Sequence, residues 1–250
     1  MASHMSSIGF PIETIEEVKV LGKRAVAQAT QTLTIPGLGY YRVWSPGAGV
    51  EIWGHVNQQI QILGLEPHFN GEARMQVRLV KRVLHAKSTI LEGAFYGWAN
   101  PHAGVTADGD YPFCFSAPDY RMHDTLTLPC EVAVQLVAFP REFLAFENQD
   151  QARSSNTWMS QMAPESCIPS GLFLPGGGKI DPPKPEIMFR GTVQETSRPT
   201  NPDTGQQFCW ARVRTLGGEL DVVVDPTIVK GTIKKNGTVG SMCWLSGRIK

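Results

Sequence analysis

The chain has 250 residues, 42% of them hydrophobic and 18% charged, and its 23 basic side chains balance 23 acidic ones to a formal net charge of zero. Low hydrophobicity combined with high net charge keeps chains disordered, and this sequence has neither property. The balance also excludes bulk attraction to polyphosphate, so any nucleic-acid contact has to be local.

The length suits one large domain or two ordinary ones. No stretch reaches the roughly 18 consecutive apolar residues of a membrane span, and the N-terminus lacks the pattern of a secretory signal, so a soluble protein without a membrane partner is expected. Five cysteines, Cys114, Cys130, Cys167, Cys209 and Cys243, are odd in number and form no CxxC pair. That pattern argues against a disulfide framework or zinc knuckle and for a reducing, cytoplasmic setting. No P-loop, no G-x-G-x-x-G after a strand and no G-x-S-x-G elbow occurs, and no cofactor is expected.

In chain order, residues 1–5 (MASHM) read as a vector-derived remnant, which sets His4 aside. Thr14 and Glu17 form a T-x-x-E capping box ahead of Ile15, Val18, Leu21 and Ala25, so one helix is expected there, with Gly22 as a point of interruption. From Tyr40 onward, Gly and Pro clusters punctuate short runs rich in Val, Ile, Tyr, Phe and Trp, the pattern of a β-sandwich or barrel. Strands are expected at 49–57, 73–84, 88–98, 112–116 and 130–139, completing a domain over 6–148. Residues 149–185, with a triple glycine and five prolines from Pro169 to Pro185, read as a linker whose apolar residues dock it in part.

The last segment, 186–250, reads as a second barrel: a strand at 188–195, a polar connection at 196–205, a strand at 207–215, a two-residue turn at Gly217-Gly218, a strand at 219–225 and a returning strand at 238–249. Three meander strands and a returning one resemble an OB-like barrel. Ile52 to Val56 followed by Asn70-Gly71 echoes Met188 to Val193 followed by Asn201 and Gly205, a faint hint of duplication.

Strand 207–215 is the most informative for function. Alternation puts Phe208, Trp210, Arg212 and Arg214 on one face and Cys209, Ala211 and Val213 on the other. Two aromatics beside two arginines suit single-stranded nucleic acid or an oligosaccharide, and equally suit a protein interface, with Trp244, Met242 and Arg248 of the final strand as neighbours. With the turn at Gly217-Gly218, Arg214 is expected opposite Asp221 and Arg212 opposite Val223, which already neutralises one guanidinium and favours the interface reading.

The segment 100–124 gathers His102, Asp108, Asp110, Asp119, His123 and Asp124. His102, Asp108, Asp110 and His123 are weak candidates for a metal site or acid–base centre, set against the simpler reading of a solvated turn. His55 and His68 sit among apolar neighbours and read as structural; Cys167 is the one thiol worth testing for reactivity. The expectation is a non-enzymatic binding or assembly protein, mainly β, with itself as a homo-oligomer or another protein as partner. Nucleic-acid binding and a metal-dependent enzyme are the alternatives.

Overall fold

The capping box forms as expected: Thr14 Oγ1 accepts from the Glu17 amide, and the Glu17 carboxylate accepts the amides of Glu13 and Thr14, both at 2.8 Å. It starts α1 (Ile15–Ala27), which runs through Gly22 without a break. A Cβ at Gly22 would lie 3.8 Å from Ile62 and Leu65, so the glycine sits where the helix meets a strand rather than where it ends.

The computed structural model describes residues 4–104, 108–174 and 177–250. The fold is mainly β, with two sheets and one long helix. The strands are β1 (Gln31–Ile35), β2 (Gly39–Gly47), β3 (Val50–Asn57), β4 (Ile62–Phe69), β5 (Met75–Val83), β6 (Ala94–Ala99), β7 (Tyr111–Ser116) and β8 (Cys130–Phe146). After α2 (Gln149–Ser154) come β9 (Ser166–Ile168), β10 (Glu186–Ser197), β11 (Cys209–Thr215), β12 (Gly218–Val224), β13 (Val229–Lys230) and β14 (Thr238–Ile249).

Two expected strand limits change for local reasons. The strand expected at 88–98 begins only at Ala94, because turn hydrogen bonds from the Ser88 amide to His85 O and from the Thr89 amide to the Glu92 carboxylate hold 85–92 out of the sheet. Strand β8 continues past 139 through Pro140. Its register against β14 shifts between Met242, opposite Glu142, and Cys243, opposite Pro140, and this bulge accommodates a proline that cannot donate to the ladder.

Strands β1 to β4 form an antiparallel meander, with α1 packed on it. The second sheet closes on itself twice. In one ring β5, β6 and β7 run as a meander, β5 pairs antiparallel with β8, and β7 pairs parallel with β14 at Ser116–Ser246. In the other ring β10, β11 and β12 form the meander, β10 pairs antiparallel with β14, and β12 pairs parallel with β8 at Asp221–Val137 and Val222–Ala138. The long strands β8 and β14 pair with each other along most of their length and belong to both rings. Each half of the second sheet therefore supplies the strand that closes the other. One apolar core, including Val77, Phe95, Phe113, Leu136, Phe189, Val213, Val222 and Leu245, fills both rings.

By position in this plan the counterpart of β10 is β5. The echo between Ile52–Val56 and Met188–Val193 therefore relates a strand of the meander sheet to one of the rings, and the two hold different places. One side chain gathers much of the segment after β8. Arg190, 1% exposed, donates to the carbonyls of Met159 at 3.0 Å, Met162 at 2.7 Å and Gln149 at 3.3 Å, and to Gln149 Oε1 at 3.1 Å. Among the described residues no helix is long and apolar enough to cross a membrane.

Candidate functional site

The alternation expected in strand 207–215 is present: Cys209, Ala211 and Val213 face the ring core, while Trp210, Arg212 and Arg214 face away from it. The turn lies one residue earlier than expected. Thr215 pairs with Gly218, so Leu216 and Gly217 form the loop, and Gly217 at φ +82 takes the left-handed conformation that the reversal needs. The slip sets Arg214 opposite Glu219 and Arg212 opposite Asp221, rather than Asp221 and Val223.

The outer face of β11 is occupied by the chain itself. Phe208 is fully buried, and Phe69 at the end of β4 meets both Phe208 and Trp210, with ring centroids 6.1 and 6.2 Å apart. Met5, Ile8 and Phe10 join the same cluster. The polar connection between β10 and β11 holds them there: Asn201 Nδ2 donates to Ile8 O at 2.8 Å and Thr204 Oγ1 to Gly9 O at 2.6 Å. Both arginines have partners, Arg212 with Glu195 at 3.2 Å and Glu219 at 3.4 Å, and Arg214 with Glu165 at 2.8 Å. Two of the three final-strand residues, Trp244 and Arg248, are likewise engaged. Trp244 stacks on the His4 ring at 4.5 Å and tilts against Phe139 at 5.1 Å, so His4, set aside on sequence grounds, is part of the packing. Arg248 lies over the Trp53 ring at 4.7 Å and reaches Asp119 at 3.3 Å and Glu51 at 3.4 Å.

In the 100–124 segment, His102 Nδ1 lies 3.5 Å from Asp108 and its Nε2 3.3 Å from Asp110. The two carboxylates take opposite edges of one ring and do not converge on a point, as metal ligands would. His123 belongs elsewhere, 3.2 Å from Asp119. Among the described residues no group of three His, Cys, Asp or Glu side chains is arranged to hold a metal. Residues 105–107 of this segment lie outside the described residues. Cys167 is buried, and burial pushes its thiol up to about 12, which removes it as a reactive nucleophile at neutral pH.

Sequence reasoning missed a buried polar chain that ties the two sheets together. His68 is flanked by Ser246 Oγ and Gln135 Oε1, both at 2.9 Å. Gln135 Nε2 donates to Phe69 O and to Asp221 Oδ2, and Asp221 Oδ1 accepts the Trp210 indole N–H. Desolvation pushes His68 down to about 3 and His55, whose Nε2 meets Pro118 O, down to about 4, so both are neutral structural histidines. Burial raises Asp221 despite its hydrogen bonds from Gln135, Trp210 and the Ala73 amide. The signal was a polar residue inside an apolar strand, as with Gln135 between Val134 and Leu136, but alternation alone assigns such a residue to solvent.

The corresponding second strand of the other ring has a different outer face. Phe95 and Ala99 of β6 point into the core, which leaves Tyr96 and Trp98 half-buried on the outside. The Lys81 ammonium lies 5.4 Å from the Tyr96 ring centroid and makes no ion pair among the described residues. Arg78, opposite Trp98, is paired with Glu131. No known protein family, curated protein or solved structure matches the chain.

Proposed function

We propose that the chain is a non-enzymatic binding or assembly protein built from two OB-like barrels, and that its contact face is the outer surface of β6. The OB-like reading is supported by the strand plan: a three-stranded meander, a fourth strand returning beside the first, and a closing strand parallel to the third, in each ring. The observation that carries the functional reading is the contrast between the two second strands. Phe208 and Trp210 of one lie under the chain's own N-terminal layer, while Tyr96 and Trp98 of the other do not belong to that cluster. Five described cysteines, none paired, fit a reducing compartment such as the cytoplasm.

The ligand chemistry that suits this face is single-stranded nucleic acid. Residues two apart on a strand project their rings about 6–7 Å apart on one face, a spacing that serves successive bases, and Lys81 supplies a cation that makes no ion pair among the described residues. The test is size-exclusion chromatography with light scattering, at low and high salt, with a fluorescent mixed-sequence oligonucleotide. Co-elution at low salt that is lost at high salt and in Trp98→Ala supports nucleic-acid binding. A salt-resistant oligomer that ignores the oligonucleotide, and that Trp98→Ala dissociates, assigns the same face to assembly. Neither behaviour, or effects indifferent to Trp98, would reject the face.

A further inference from the structure

A cavity of about 290 Å³ opens between β4, the turns that follow β5, the start of β6 and Trp244 of β14. Glu66, His85, Glu92, Ser88 and Ser116 are among its polar lining residues, and Leu65, Pro185 and Trp244 form part of its apolar wall; among the described residues no Lys or Arg lines it. Glu66 is 8% exposed, and its Oε1 is buried without a hydrogen-bond partner among the described residues. His85 Nε2 is also buried and unpartnered. The His4 ring at the rim adds no positive charge, because burial pushes it down to about 4.

We propose that this cavity binds the primary ammonium group of an alkylamine. An unpartnered carboxyl oxygen at an acidic cavity that no described Lys or Arg lines is complementary to a compact head with three N–H donors, and the apolar wall takes the alkyl stem. A guanidinium fork fits less well, since it needs two free oxygens on one carboxylate. Glu92 Oε2 is already taken by the Thr89 amide, and the Glu66 carboxyl is hydrogen-bonded by Ser116. A metal ion fits less well again, for want of three ligands in metal geometry among the described residues.

Burial, then the charges of Glu92 and Asp119, push Glu66 up to about 8 against the Ser116 hydrogen bond. At pH 7 the carboxyl is therefore mostly protonated, and an arriving ammonium displaces that proton: carboxylic acid and alkylammonium become an ion pair and one proton released to solvent. The same chemistry is offered by a free alkylamine and by a lysine side chain of another protein. The site borders the β6 face at Ala94 but uses neither Tyr96 nor Trp98, so either reading can fail alone.

Calorimetry on the full chain at pH 7, in two buffers of different ionisation enthalpy, tests it with n-butylamine and with Nα-acetyl-lysine methylamide as probes. Saturable uptake with release of close to one proton is expected, weaker by about tenfold or more in Glu66→Gln, an isosteric change. Butylamine alone binding points to a free amine, and the lysine derivative alone to a protein side chain. His85→Ala serves if Glu66→Gln does not fold, with affinity again reduced. Absence of saturable uptake, affinity unchanged in the variants, or equal binding of tetramethylammonium, which has the charge but no N–H donor, would overturn the proposal.

Discussion

Trp210 donates its indole N–H to Asp221 Oδ1 at 2.9 Å across the β11–β12 hairpin, and Asp221 Oδ2 accepts from Gln135 of β8 at the same distance. A carboxyl in a buried position is thus held by donors from both rings, and the aromatic that sequence alone offered as a stacking platform serves as one of them.

Trp210→Phe keeps a ring against Phe69 but removes that donor. Leaving one oxygen of a buried carboxyl unpartnered is expected to cost about 1–3 kcal/mol, seen as a lower urea midpoint with an unchanged slope. Oligonucleotide binding through β6, if present, is expected to stay as in the parent chain.

Arg190→Met is expected to cost about 3 kcal/mol, because three carbonyls and the Gln149 side chain lose a shared donor. Limited proteolysis provides the second readout, with new cleavage inside 149–162. Arg190→Lys is expected to rescue little, since an ammonium at the end of a single stem cannot reproduce a planar fork with several donors.

The buried titratable groups give stability two limbs of opposite sign. His55 and His68 titrate near 6.5 when unfolded and at about 4 and about 3 when folded, so the unfolded chain binds more protons in that window and stability falls as pH drops below 6.5. Glu66 acts in reverse: its folded value of about 8 lies above the unfolded 4.5, so its contribution is lost as pH rises between them. Chemical denaturation across pH 4 to 9 is expected to show a flatter acid limb in His68→Gln and a flatter alkaline limb in Glu66→Gln.

Gly71→Ala is expected to destabilise by at least about 2 kcal/mol, since a Cβ there would lie 2.2 Å from the Asp221 carboxylate, whose position its hydrogen bonds fix. Thermal unfolding checks this; a shift of the midpoint by less than a degree or two would mean that the loop relaxes around the methyl group.

Thiol labelling separates the cysteines. Cys130 is partly exposed and the other four are buried, so a native chain is expected to modify at Cys130 first and at Cys114, Cys167, Cys209 and Cys243 only on unfolding.

Local rules made much of the fold legible. Thr14 and Glu17 announced the helix, and the alternation of Cys209, Ala211 and Val213 located the inner face of β11. What alternation does not carry is the identity of the layer that covers an outer face. Phe208–Trp210 and Tyr96–Trp98 look alike in sequence, yet one pair meets Phe69 and the N-terminal segment while the other does not. The cavity around Glu66 was out of reach for the same reason, because β4, β6 and β14 meet there from distant parts of the chain. The turn at Leu216-Gly217 differs by a single residue from a Gly-Gly reading, and only the cross-strand register decides between them.

The exchange of β8 and β14 between rings also sets an order on synthesis. The first meander, made by residue 116, has no closing edge until Ser246 has been translated, some 130 residues later. Until then its parallel edge at β7 is open, and a nascent chain emerging from a ribosome presents an unpaired strand that a neighbouring copy is able to cap. A fragment ending near residue 148 is permanently in that condition, so expressing the two halves separately should give aggregation-prone pieces, while mixing them offers each the strand it lacks.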